Sequence, residues 1–153
     1  MIEIVIAASI VSIAVFSLSS VFLVSSRLET QSSEKTRANF LAEEGIEAMR
    51  FLRDKGWSGN LAPLAVGTNY YLTFSTSTSR WSVGVSNPGI IDNTYTRITT
   101  VENVYRNGSD DIVASGGTLD PNSKKINIVV LWANHGVNLN VALSAYLFNI
   151  YKN

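Results

Sequence analysis

The chain has 153 residues, 46% of them hydrophobic and 16% charged, and its 12 Lys and Arg balance its 12 Asp and Glu. A chain of this length corresponds to one domain. Zero net charge leaves no sequence-independent attraction to nucleic acid or anionic lipid. The absence of cysteine excludes disulfides, thiolate zinc sites and thiol nucleophiles.

The first predicted element is an uncharged, apolar helix at the N-terminus, residues 1–26. No charged residue lies between Glu3 and Arg27, so residues 4–26 would form a helix about 34 Å long, enough to cross a hydrocarbon core of about 30 Å. A secretory signal peptide is the alternative, but its apolar region is usually only about 7–15 residues long and follows basic residues. Serines dilute the run, and such small hydroxyl positions favour packing between helices. We expect this helix to be surrounded either by the lipid of a membrane or by the same helix of other copies.

The helix is expected to continue through residues 27–55 as an amphipathic segment. Neither glycine nor proline follows Arg27 until Gly45. Charged residues outside the apolar stripe indicate a solvent-exposed face, with subunit contacts as the alternative, and Gly56 is the predicted C-cap. The apolar stripe recurs at three- and four-residue spacing, typical of a helix with one buried face: Leu41, Gly45, Ala48, Met49 and Leu52.

Residues 56–153 change to the composition of strands and turns and predict a β-rich head. The clearest elements are two alternating strands at 125–133 and 137–148, joined by a turn at 134–136. The other candidate strands are 69–75, 80–85, 95–104 and the short 111–114. The predicted fold is therefore α+β, with the second half of the long helix packed on an antiparallel sheet. We expect the sheet to contribute Trp132 and Val141 to the contact with Leu41, Gly45, Met49 and Leu52. On the same buried side of the final hairpin we also expect Val130, Leu139 and Leu143.

Motifs that carry chemistry are missing from the sequence. It has no phosphate-binding loop, no zinc-protease helix motif, no nucleophile elbow and no dinucleotide-binding fingerprint. The one histidine, His135, falls in a predicted turn, and Asp110, Asp111 and Asp120 lack the ligand spacing of a calcium loop. Arginines of the strands, such as Arg97, interleave with tyrosines too sparsely to predict nucleic-acid binding. We expect no catalytic residues, no metal and no cofactor.

Glu3 has two interpretations. An acid in the first turn interacts favourably with the free N–H groups and the dipole of a helix. Alternatively, Glu3 is a counter-ion, because an acid at the edge of hydrocarbon usually has a partner, and a terminal ammonium from an adjacent copy would neutralise it within a bundle.

Residues 1–7 (MIEIVIA), the serine-dotted helix after them and residues 40–47 (FLAEEGIE) resemble a bacterial type IV pilin. The mature terminus of that family commonly reads Phe-Thr-Leu-Ile-Glu, so Ile2 and Glu3 match its last two positions and Met1 stands where Leu would be. The resemblance implies that Glu3 pairs with the N-terminal amine of a neighbouring subunit. The residues expected to mediate assembly are Met1, Glu3, Ile4, Ile6, Ile10, Phe16 and Phe22.

The same resemblance implies a homopolymeric helical filament at the cell surface, serving adhesion or motility, whose subunits lie in the inner membrane before assembly. Partners would be the assembly machinery and a leader peptidase that also methylates the new N-terminal Phe. Many relatives close the C-terminal region with a disulfide, and here the hairpin at 125–148 is expected to replace it. The alternatives are a pseudopilin of a type II secretion system, a DNA-binding minor or competence pilin and, last, a membrane-anchored enzyme. Nucleic acid is an unlikely partner.

Overall fold

The computed structural model describes residues 1–152 and has an α+β architecture, as the sequence predicts. By its internal contacts the chain divides into an N-terminal unit, Met1–Arg37, and a C-terminal unit, Ala38–Asn153. The helices and strands are α1 Ile2–Lys55, α2 Trp57–Asn60, β1 Tyr71–Ser75, β2 Arg80–Gly84, β3 Thr96–Arg106, β4 Ile112–Val113, β5 Thr118–Asn134 and β6 Val137–Phe148.

Helix α1 contains the whole predicted helical region and ends where the sequence indicates. The N–H of Gly56 donates to the carbonyl of Arg53 at 3.1 Å, and Gly56 adopts a φ of 153°. Such a backbone conformation is easiest for glycine, so the helix stops there. Arg53 and Lys55 lie in the last turn, where positive charge interacts favourably with the helix dipole.

The strands form two antiparallel sheets. β1 and β2 make a two-stranded sheet, while the second sheet has the order β4-β3-β5-β6. An isolated bridge between Tyr70 and Thr99 connects the start of β1 to β3. β3 and β5 are the two central strands of the larger sheet.

Strand β5, Thr118–Asn134, begins earlier than the predicted 125–133 because its first residues lack the pattern of a strand. The pairing of β3 with β5 shifts between Asn103 and Val104, so residues 121–123 have no partner in β3. Pro121 falls in this bulge, where no ladder N–H is required. A proline that would normally end a strand is accommodated by the irregularity.

A tight turn joins β5 to β6, as predicted. Asn134 pairs with Val137, and the two residues between them, His135 and Gly136, have φ values of 47° and 79°. Positive φ at both central positions is the geometry of a type I′ turn, which matches the twist of antiparallel strands. The turn fixes the register of the hairpin.

The core lies between the second half of α1 and the inner face of the large sheet. Its helix residues repeat at three- and four-residue spacing, and alternate residues of β5, Ile126, Ile128, Val130 and Trp132, are buried against them. Leu143 was expected on this buried side and is 38% exposed instead. It pairs with Ile128 but belongs to the edge strand β6, which has no further strand beside it.

Candidate functional site

The most unusual surface of the chain is the apolar helical segment at residues 1–26. Every residue of this segment is exposed, and an 18-residue window within α1 reaches a mean hydropathy of 2.4. By length and composition α1 could therefore cross a membrane. The apolar residues expected to mediate assembly are each more than half exposed: Met1, Ile4, Ile6, Ile10, Phe16 and Phe22.

Five serine hydroxyls of this segment donate to its own backbone. Ser9 donates to the carbonyl of Val5 at 2.8 Å, and Ser12 donates to that of Ala8 at 2.7 Å. The same four-residue pattern holds at Ser17, Ser19 and Ser20. Because these hydroxyls are satisfied locally, they add little polarity to the helix surface.

Glu3 lies in the first turn of α1 and is exposed. The N–H of Val5 donates to the carbonyl of Met1 at 3.4 Å, so the first helical turn forms around this acid. A carboxylate at this position interacts favourably with the positive end of the helix dipole. The placement fits the helix-start interpretation and keeps the side chain accessible to another chain.

A second group of expected residues lies inside the C-terminal unit. Leu41, Met49, Leu52 and Trp132 belong to one buried cluster, and Val141 packs against it while partly exposed. At Gly45 the helix lies close against the sheet, because a Cβ built there would lie 3.0 Å from Cγ2 of Ile128. A side chain at this position would require the side chains of Ile128 and Arg97 to shift.

Arg97 is buried, although an arginine in a sequence normally indicates an exposed position. Its guanidinium donates to the carbonyl of Leu41 at 3.0 Å and to Oε2 of Glu44 at 2.7 Å, and its Cζ lies 5.3 Å from the centre of the Trp81 ring. Arg97 therefore belongs to the contact between helix and sheet and is unavailable to bind a polyanion. Alternation along β3 gave a weak signal, since positions 97, 99 and 101 share the buried face.

Arg106, the last residue of β3, forms a group of polar contacts at that end of the strand. It donates to Oδ2 of Asp120 at 2.8 Å and to the carbonyl of Asp110 at 2.7 Å, while Ser123 also donates to Asp120. Partial burial alone would raise the pKa of Asp120, but the hydrogen bonds from Ser123, Arg106 and the backbone of Asn122 outweigh burial and lower it. The hydrogen bond to Asp120 in turn raises the pKa of Arg106.

Glu102 forms a smaller ionic contact on the sheet. Its carboxylate accepts from Lys125 at 3.1 Å and from Asn127 at 2.6 Å. The hydrogen bond from Lys125 is the main reason why the pKa of Glu102 lies below its usual value, with Asn127 contributing in the same direction.

Within residues 1–152 the structure brings no three His, Asp or Glu side chains together as a metal site. His135 lies in the β5–β6 turn, and Asp120 is bound to Arg106. The exposed apolar segment at residues 1–26 is the feature that most directly indicates a function. Searches with family models, among curated proteins and among solved structures found no match to this chain.

Proposed function

We propose that the chain is a structural subunit that polymerises through its apolar N-terminal helix into an extracellular helical filament of the type IV pilus kind. The observation that carries the proposal is the fully exposed, uncharged segment between Glu3 and Arg27. Burial of one Ile, Leu, Val or Phe side chain is worth about 1.5–3 kcal/mol. A segment with this many such residues requires either lipid or other apolar helices around it.

The segment would be surrounded first by lipid and then by other apolar helices. Before assembly the segment lies in the inner membrane, which its length allows. In the filament the same surface packs against identical helices, with Ile4, Ile6, Ile10, Phe16 and Phe22 in the contacts. The resemblance of residues 1–7 and 40–47 to type IV pilins supports this second state, and it extends the proposal to processing by a leader peptidase and export by a pilus assembly machinery.

Glu3 would then select the position of each incoming subunit. A carboxylate transferred to the centre of an apolar bundle needs a cation, and the terminal ammonium of a neighbouring copy has the right charge and place in the chain. Loss of one member of a buried pair costs about 3–5 kcal/mol, whereas loss of a helix-start acid costs only about 0.3–1 kcal/mol. The two roles of Glu3 are therefore separable by magnitude.

The test is to produce the wild-type chain and its Glu3→Gln variant in a host that carries a pilus assembly system, shear the cell surface and examine the material by electron microscopy. We expect long filaments containing the wild-type chain. Glu3→Gln should reach the membrane in equal amount but give at least tenfold fewer filaments. Glu29→Gln is the matched control, because Glu29 lies on the same exposed helix but outside the uncharged segment, and it should assemble normally.

Other outcomes would change the proposal. Membrane-bound chain without surface filaments, in a host whose own pilins assemble, would contradict a pilus subunit. Short assemblies confined to the cell envelope would favour the pseudopilin alternative. Salt-dependent DNA binding by the purified chain would favour a DNA-capturing pilin.

A further inference from the structure

The C-terminal unit contains a groove that the filament proposal does not use. It has a volume of about 380 Å³ and runs along residues 102–105 of β3, where this strand reaches its pairing with β4. Sites for small ligands usually measure about 300–1,000 Å³, so the groove has room for a ligand the size of a mono- or disaccharide. Its other lining residues are Val66, Ile112, Val113, Ala114, Lys125 and Tyr146.

Two tyrosines give the groove its aromatic surface. Tyr105 is 39% exposed and Tyr146 is 45% exposed, although they belong to different strands. The face of an aromatic ring is electronegative and attracts the weakly positive C–H groups of an apolar ligand face. The tyrosine hydroxyls add groups that both donate and accept hydrogen bonds.

The polar groups of the groove are fixed in place and balanced in charge. Lys125 donates to Glu102 at 3.1 Å, and on the neighbouring pair of residues Lys124 donates to the side-chain oxygen of Asn103 at 3.2 Å. Glu102 is the only carboxylate and Lys125 the only basic side chain among the lining residues, so their formal charges cancel. A phosphate, a sulfate or an acidic sugar would gain no net attraction here and would compete with Glu102 for Lys125.

We propose that this groove binds a neutral saccharide unit, with an apolar face of the sugar ring on Tyr105 or Tyr146 and its hydroxyls bonded to Glu102, Asn103 and Lys125. A saccharide matches the observed mixture of aromatic faces and hydrogen-bonding groups without net charge. An extended peptide would instead require a long exposed sheet edge with pockets for alternate side chains, and the groove spans only residues 102–105 of β3. The proposal stands independently of filament formation.

The experiment uses the full chain, held in a detergent without a sugar headgroup so that the detergent itself does not occupy the groove. The chain is applied to an array of neutral oligosaccharides built from glucose, galactose, mannose and N-acetylglucosamine, together with their sialylated counterparts. We expect retention on neutral saccharides, confirmed by titration with the best disaccharide.

Variants at Tyr146 test the site. Tyr146→Ala should weaken binding by about tenfold or more, while Tyr146→Phe keeps the ring and should stay within about threefold of wild type. Phe74→Ala is the matched control, because Phe74 is similarly exposed on β1 but lies outside the groove. It should bind like wild type. Tryptophan fluorescence on denaturation checks that each variant remains folded.

Several results would overturn the proposal. They are a lack of retention on every saccharide, a preference for the sialylated series, or neutral saccharide binding that is unchanged by Tyr146→Ala in a folded variant. Displacement of bound saccharide by an unrelated extended peptide at equal affinity would point to a peptide groove instead.

Discussion

The Arg97 guanidinium on strand β3 lies 2.7 Å from the Glu44 carboxylate on helix α1. The two partners differ in environment, since the side chain of Arg97 is 4% exposed and that of Glu44 is 49% exposed. Arg97 also donates to the carbonyl of Leu41, one turn earlier on the helix. A buried cation is thus shared between a side chain and the backbone of one helix, which fixes where the sheet meets α1.

Loss of the Glu44 carboxylate should destabilise the C-terminal unit. Glu44→Ala leaves the Arg97 charge with one fewer partner, and we expect a loss of about 1–3 kcal/mol in the free energy of unfolding. Urea titration of the full chain in detergent, followed by tryptophan fluorescence, measures this loss because Trp57, Trp81 and Trp132 all lie in the C-terminal unit. Glu47→Ala removes an exposed pair with Arg50 on the same helix and should cost no more than about 1 kcal/mol. Equal losses of unfolding free energy in the two variants would contradict a stabilising contact between Glu44 and the buried Arg97.

Gly45 should tolerate no branched side chain. Its Cβ position lies 3.0 Å from Cγ2 of Ile128 and 3.2 Å from Cδ of Arg97, so Gly45→Val must displace both. We expect a loss of about 1–3 kcal/mol by the same measurement. Gly59→Val is the control, because among residues 1–152 a Cβ at Gly59 would meet nothing within 4 Å beyond its chain neighbours and the backbone of its own helix. A larger effect there than at Gly45 would show that helix propensity dominates over packing.

The final hairpin should carry much of the stability of the chain, which has no disulfide. Trp132 is buried beside Tyr95, with ring centres 6.0 Å apart, and Trp132→Ala should cost about 3–5 kcal/mol. His135→Asn, in the turn of the same hairpin, should change stability by less than about 0.5 kcal/mol because asparagine accepts positive φ. Small, similar shifts in melting temperature for the two variants would place the hairpin at the periphery of the core.

Acid should destabilise the chain partly through Asp120. The pKa of Asp120 is lowered in the folded protein from its ordinary value of 3.8, so the unfolded chain binds more protons in this range. The contribution of Asp120 is therefore complete above about pH 5 and is lost as the pH falls towards the lowered pKa. Asp120→Asn should show a shallower loss of stability between about pH 5 and pH 3. An unchanged slope in Asp120→Asn would exclude this linkage.

Patterns among neighbouring residues were sufficient to predict the long helix and the final hairpin. The uncharged run and the stripe containing Leu41 and Met49 predicted α1, and strict alternation with a turn predicted the β5–β6 hairpin. The start of β5 at Thr118 was missed because Pro121 and its polar neighbours read as a loop. Their acceptance in a strand depends on a bulge created by the pairing with β3. Pairing partners are distant in sequence and leave no periodic signal.

The features of the candidate sites also divide into those that local sequence predicts and those that depend on the neighbours of each strand. The exposed apolar surface of residues 1–26 was predictable because hydropathy is a property of consecutive residues. The burial of Arg97 and the groove between Tyr105 and Tyr146 were not, because both depend on which strands lie side by side. An arginine normally indicates exposure, and only the position of Leu41 and Glu44 opposite β3 reverses that expectation.

The serine hydroxyls of the N-terminal helix have a consequence for the environments in which it is stable. Ser9, Ser12, Ser17, Ser19 and Ser20 each donate to a carbonyl four residues earlier, so these five hydroxyl donors are satisfied within the segment. Its transfer between two apolar solvents, such as lipid tails and a protein interior, neither breaks nor creates a polar contact at these positions. The helix can therefore exchange one surrounding for the other without an energetic barrier from its hydroxyl groups.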